Sequence, residues 1–111
     1  MGTSAAFQLA GRGLKVTLLE KSYLASGTTG RSSAIVRQHY SNEITARMAL
    51  FSLRIFQNFA DIVGGECGFM PVGFVALASA KDADGLRANV AMQQSVGINT
   101  RLLSGEELRD I

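Results

Sequence analysis

The residues best suited to chemistry stand in three groups along a chain of 111 residues. The first pairs Gly2 with Glu20. In dinucleotide-binding folds the last glycine of a Gly-rich turn lets the following helix pack closely on its sheet. An acid roughly 20 residues on, at the end of the second strand, accepts from the ribose hydroxyls. Gly2 and Glu20 suit those roles, and so does a plain helix–turn–strand that ends in a solvated glutamate. The second group is the run Ser26-Gly27-Thr28-Thr29-Gly30-Arg31-Ser32-Ser33. Small residues let backbone amides approach a ligand, and the hydroxyls with the Arg31 guanidinium can bond a phosphate or the edge of a flavin ring. A surface loop has the same composition. The third is Ile35-Val36-Arg37-Gln38-His39-Tyr40, where Arg37 follows two β-branched residues and is expected to be partly buried. A buried guanidinium needs an anion, either a protein acid or the carboxylate of a ligand. His39 reads as a surface or packing histidine.

Composition narrows the chemistry. One His and one Cys exclude an internal disulfide, a Cys-rich zinc site and a multi-His metal site within this chain. A Ser–His–Asp triad has only His39 to use. Cys67 is expected to be a small packing residue in a reducing compartment. A net charge of +2, with no basic run, gives no footprint for nucleic acid. Charged residues are 18% of the chain, below the roughly 25% of a typical soluble domain, while 47% is apolar. Such a chain either buries much of itself or is covered by a larger body. The longest mostly apolar stretch, Gly68 to Ala80, holds a proline and is shorter than the roughly 20 residues a membrane span needs. The N-terminus lacks the pattern of a signal peptide, and Ala6 departs from the myristoylation motif. A cytoplasmic location is expected.

The elements that position the three groups follow from local signals. Gly2 to Arg12 is helix-compatible, with Gly11 and Gly13 at its end. Leu14 to Leu19 is a β-rich run that stops at Glu20. Ser22 to Ser33 is a loop. Ser41-Asn42-Glu43 predicts a helix start, with a capping hydroxyl and an acid in the first turn. That helix is expected to run to about Val63, with Ile44, Met48, Phe51, Ile55, Phe59 and Ile62 as one apolar, core-facing stripe. Phe69 to Ser79 reads as β, punctuated by Pro71 and Gly73, with Phe74 to Ala78 as the expected strand; Asp82 to Val96 is expected to be a helix and Thr100 to Leu103 a short strand. Ser104-Gly105-Glu106-Glu107 is a capping box that opens a last helix.

Taken in order, these pieces resemble the N-terminal part of the flavin-dependent amino acid oxidase superfamily, in particular its sarcosine oxidase and sarcosine oxidase β-subunit-like branch. The match is carried by Gly2-Thr3-Ser4-Ala5-Ala6 with Leu9-Ala10 and Arg12-Gly13, then Val16-Thr17-Leu18-Leu19-Glu20-Lys21. It continues through Ser26 to Ser33 and Ile35-Val36-Arg37-Gln38-His39-Tyr40-Ser41, then Met48-Ala49-Leu50, Gly68-Phe69 and Gly73-Phe74-Val75. Its most specific part is the Thr-Gly-Arg-Ser-Ser block followed by Arg37 and Tyr40.

The resemblance implies an α/β fold: a partial Rossmann-like FAD-binding domain over residues 1–67, its first strand missing, running into the start of an α+β substrate domain over 68–111. It implies FAD as cofactor, held by Gly2, Glu20, Lys21, Gly27, Thr28, Thr29, Gly30, Arg31, Ser32, Ser33 and Ile35. Arg37 would hold the carboxylate of a small amino acid or N-methyl amino acid, with Tyr40 beside it. The reaction implied is oxidation of a C–N bond to an imine, with no residue in these groups required as a general base. The other partners implied are the remainder of the domain and possible further subunits. Two fingerprint glycines and the first strand are expected to lie before Met1, so the 111-residue chain alone is expected to be inactive. The alternative is a non-catalytic α/β remnant that serves as a binding or structural piece. The Thr28 to Ser33 block argues against a nicotinamide-type Rossmann enzyme.

Overall fold

A computed structural model describes residues 1–110, in two compact units: Met1–Ile35 and Val36 onward. In the first unit, helix α1 spans Gly2–Ala10. It closes with the Gly11 amide bonded to the Phe7 carbonyl at 2.9 Å and the Leu14 amide bonded back to Leu9 at 3.2 Å. Gly13, at φ +81°, supplies the left-handed residue this ending requires. Residues 14–20 run extended, and a 3-10 turn covers Thr29–Arg31.

In the second unit, helix α2 spans Glu43–Gln57. Its cap is the Asn42 side chain, which accepts from the Thr45 amide at 3.2 Å, rather than the Ser41 hydroxyl. Glu43 in the first turn also pairs with Arg47 at 2.8 Å, an exposed pair of small worth. The helix stops short of Val63 because Asn58 turns its amide back onto the Arg54 carbonyl at 2.8 Å. Short polar side chains compete for helix carbonyls in this way. Helix α3 is the remaining turn, Phe59–Ile62. Helix α4 spans Ala83–Ser95 and ends at Gly97, φ +91°, with the Ile98 amide reaching back to Gln93. The Ser104–Glu107 box forms as expected, with both reciprocal bonds present, and it opens a 3-10 turn, Glu107–Asp110.

Among the described residues there is no β-strand, which overturns the α/β, Rossmann-like reading. The segments 14–19, 69–79 and 100–103 are extended, but no backbone hydrogen bond joins any of them to another. β-branched composition selects an extended backbone, whereas a strand exists only when a second one completes its ladder. The core stripe of α2 is overturned too: Ile44, Met48 and Phe51 are each about two-thirds exposed. The buried side of α2 is Ala46, which with Val96 and Ile98 forms a small cluster packed by Tyr40, Leu50 and Met92. Cys67 is exposed, not a packing residue. No helix among the described residues is long and apolar enough to cross a membrane.

Candidate functional site

The first unit carries the residues expected to meet a cofactor. A Cβ on Gly2 would stand 3.3 Å from Leu18 Cδ1, so α1 lies close against the extended 14–20 segment at this point. Glu20 follows that segment directly. Its Oε1 accepts from the Ser22 amide at 2.9 Å, which leaves Oε2 for another donor. Lys21 and Ile35 are exposed. The run from Gly27 to Ser33 is exposed as well, and two alanines in the left-handed region bracket it: Ala25 at φ 64° and Ala34 at φ 54°. Such a conformation costs an alanine roughly 1–3 kcal/mol and persists where neighbouring contacts demand it. Those contacts are visible. The Gly30 amide donates to the Ala25 carbonyl, and a Cβ on Gly30 would overlap that oxygen, so only glycine fits. On the other side, the Ala34 amide donates to Ser32 Oγ at 3.2 Å. The loop is shaped by backbone contacts and keeps the Thr28, Thr29, Arg31 and Ser33 side chains in solvent.

The second unit carries Arg37 and Tyr40, and it brings them together. The Arg37 guanidinium carbon lies 5.2 Å from the centroid of the Tyr40 ring, within the range of a cation–π contact. Arg37 is exposed rather than partly buried, and among the described residues it forms no ion pair with a protein acid. Tyr40 packs on the Ala46–Val96–Ile98 cluster. The segment that bears both has no helix or ladder of its own, and two side-chain amides hold it. Gln38 Nε2 donates to the Ala49 carbonyl of α2 at 3.1 Å and to the Arg37 carbonyl at 3.3 Å, while its buried Oε1 has no partner among the described residues. Gln93 Nε2, from α4, lies 2.8 Å from the Tyr40 carbonyl and 3.1 Å from His39 Nδ1.

Sequence reasoning missed Gln93, Gln38 and the two left-handed alanines. A signal for Gln93 was present: it continues the Leu86–Val90 side of α4 at helical spacing, where an apolar residue belongs. Ala25 and Ala34 left no trace in composition. Two open clefts lie on the second unit's surface. One is lined by Phe56, Phe59, Phe69, Pro71 and Cys67, with the Phe56 and Phe69 rings stacked at 5.9 Å. The other lies between Ala78–Ala83 and Leu102–Glu107. At its edge the Ser104 amide and hydroxyl hold the Glu107 carboxyl below the usual glutamate range. No group of His, Cys, Asp and Glu among the described residues can hold a metal ion.

Comparison with known proteins identifies the context of these features. The family model for FAD dependent oxidoreductases matches residues 1–111. The chain is 33% identical to FAD-dependent oxidoreductase domain-containing protein 1 of Mus musculus, over 98% of this chain and 25% of that protein. It is 32% identical to the anaerobic glycerol-3-phosphate dehydrogenase subunit A1 of Haloferax volcanii, over 99% of this chain and 19% of that protein. Identity to the sarcosine oxidase subunit beta of Rhodobacter capsulatus is 24%, over 86% of this chain and 23% of that protein. The chain thus spans a quarter or less of each of these relatives. No solved structure matches it.

Proposed function

The chain belongs to the FAD-dependent oxidoreductase family, whose cofactor is FAD, and from that premise we propose that it contributes cofactor and substrate contacts to an enzyme that oxidises the C–N bond of a small amino acid or N-methyl amino acid, sarcosine-like, to an imine. The observation that carries the reading is the Arg37–Tyr40 pair. Arg37 has its guanidinium set over an aromatic ring, no ion pair with a carboxylate among the described residues and its side chain exposed to solvent. A planar fork so placed suits a small carboxylate bound through two parallel hydrogen bonds. The sarcosine oxidase subunit among the relatives supports the amine substrate class.

The residues of the first unit fit the cofactor by their chemistry. Glu20 is an acceptor-only side chain with one oxygen unengaged, as a ribose hydroxyl requires. Gly27, Thr28, Thr29, Gly30, Arg31, Ser32 and Ser33 offer hydroxyls, a cation and an accessible backbone to a pyrophosphate and ribityl chain. Gly2 would keep α1 close to the segment that ends at Glu20, and Lys21 and Ile35 would flank the same ligand. Bound FAD supplies the two-electron acceptor for the hydride equivalent that leaves the substrate carbon. The chain's own part is to bind and orient: Arg37 takes the carboxylate, and Tyr40 fixes the guanidinium.

The test is kinetic. In the FAD-loaded protein, Arg37→Ala is expected to raise KM for the amino acid roughly ten-fold or more, since a hydrogen bond to a charged group contributes about 1.5–3 kcal/mol. Flavin content should not change. An unchanged KM at full flavin content would take Arg37 out of the substrate site. Flavin reduction by glycerol 3-phosphate, and by no small amino acid, would move the reaction to the class named by the archaeal relative.

A further inference from the structure

We infer that Gln93 is a positioning residue for the substrate carboxylate: it fixes Tyr40, and through Tyr40 the Arg37 guanidinium, by bonding the Tyr40 carbonyl and a neutral His39 ring with one amide nitrogen. The inference rests on the assignment of Arg37 and Tyr40 to the substrate.

Gln93 is 1% exposed, the buried polar side chain of a core that is otherwise Ala46, Val90, Val96 and Ile98. An amide withdrawn from water costs free energy unless its hydrogen bonds are replaced, and a leucine at this place would fill the volume without that cost. The replacement bonds do not serve α4 itself. Both reach the segment that carries the candidate substrate residues, 53 and 54 positions away in the chain. That segment has carbonyls but no ladder to hold them, so its geometry depends on such tethers.

The amide's orientation follows from its partners. Only the nitrogen end can stand 2.8 Å from a carbonyl oxygen, because two oxygens at that distance repel. One amide hydrogen is then committed to Tyr40. The other points to His39 Nδ1 at 3.1 Å, which must present a lone pair. His39 is therefore the neutral tautomer with its proton on Nε2, a state assigned from the network. Tyr40, pinned at its carbonyl, packs its side chain on the Ala46–Val96–Ile98 cluster and carries Arg37 over its ring. The order of dependence runs from Gln93 to Tyr40 to Arg37. Gln93 itself touches no reacting atom.

The experiment compares two substrates in the FAD-loaded protein: a small N-methyl amino acid, and the same amine without its carboxylate. For Gln93→Leu, KM for the amino acid is expected to rise roughly ten-fold, which corresponds to about 1.4 kcal/mol of lost carboxylate binding. The value of kcat should hold within about two-fold, and KM for the carboxylate-free amine should stay at the wild-type value. Gln93→Met, more flexible, repeats the comparison where the leucine variant folds poorly. A spectroscopic reading accompanies it. His39 is the sole histidine, so 15N spectra of the imidazole report one ring. In the wild-type protein Nδ1 should be unprotonated and hydrogen-bonded, and in Gln93→Leu its resonance should move toward the unbonded value. Equal weakening of both substrates, or loss of flavin in both variants, would reduce Gln93 to a folding role and overturn the inference. So would a protonated Nδ1 in the wild-type ring. If the ring spectrum is as expected but Arg37→Ala leaves KM for the amino acid unchanged, the substrate assignment has failed. The positioning role then falls with it, although the amide–imidazole contact stands.

Discussion

The two units solve the problem of holding a functional segment in opposite ways. No residue of Met1–Ile35 is buried, and the candidate cofactor loop there is shaped by backbone: a glycine against the Ala25 carbonyl, and two alanines in the left-handed region. In the second unit the Arg37–Tyr40 segment is shaped by side chains. The segment's own Gln38 amide donates to the Ala49 carbonyl of α2, the Gln93 amide of α4 donates to the Tyr40 carbonyl, and an apolar cluster supports the tyrosine. A backbone-built loop has one conformation available and fails when a Cβ is added. A side-chain-built segment degrades by steps, one contact at a time.

The sharpest break is therefore expected at Gly30. Gly30→Ala places a methyl group on the Ala25 carbonyl, and overpacking of this kind costs about 1–3 kcal/mol or rearranges the loop. Flavin retention after gel filtration of the FAD-loaded protein should fall roughly ten-fold or more. Retention at the wild-type level would show that the loop does not need its glycine. The next contrast concerns stability. Ala46 is fully buried and Ala6 only partly so. Ala46→Leu should lower stability by roughly 1–3 kcal/mol in denaturant titration, against about 0.5 kcal/mol or less for Ala6→Leu. Equal losses would erase the distinction between the units. Asn42→Ala removes the cap of α2 and should cost about 1 kcal/mol by the same titration.

The smallest effect concerns acid. The Glu107 carboxyl is held low mainly by its bond from the Ser104 amide, then by the Ser104 hydroxyl. A lowered folded-state pKa means that the capping box stabilises fully above the ordinary glutamate range. Its contribution is lost as pH falls through the lowered value. The Ser104 amide resonance should therefore titrate below pH 4.5, the ordinary glutamate value. Titration at or above that value would mean that the box is open in solution.

Local signals in the chain carried a good part of this. The glycine ending of α1, the start of α2 with its first-turn acid, the extent of α4 and the Ser104–Glu107 box are all decided within a few residues, and each was readable, although the cap of α2 is Asn42 and not the expected hydroxyl. Pairing was not. Leu14–Leu19 and Phe69–Ser79 have the composition of strands, but composition does not supply the neighbour that a ladder needs. The apolar stripe of α2 failed for a related reason. Periodicity shows that one side of a helix is apolar, whereas which side is covered depends on elements distant in sequence, and here Val96 and Ile98 cover Ala46. The candidate residues, from Glu20 through the Ser26–Ser33 run to Arg37 and Tyr40, were chosen by residue type and by resemblance, and their roles await the experiments above. The supports were less legible: Gln93 interrupts the apolar side of α4 at helical spacing, but its partners lie 53 and 54 positions away, and the two left-handed alanines leave no trace in composition.

The central proposal, that the enzyme to which this chain contributes oxidises a small amine bearing a carboxylate, is tested most directly by mixing that enzyme, loaded with FAD, anaerobically with an N-methyl amino acid. The visible absorbance of the oxidised flavin should be lost. The same amine without its carboxylate, at equal concentration, should leave most of it in place. Persistence of the oxidised spectrum with every small amino acid tried, in a protein that is fully loaded with flavin, would contradict the account.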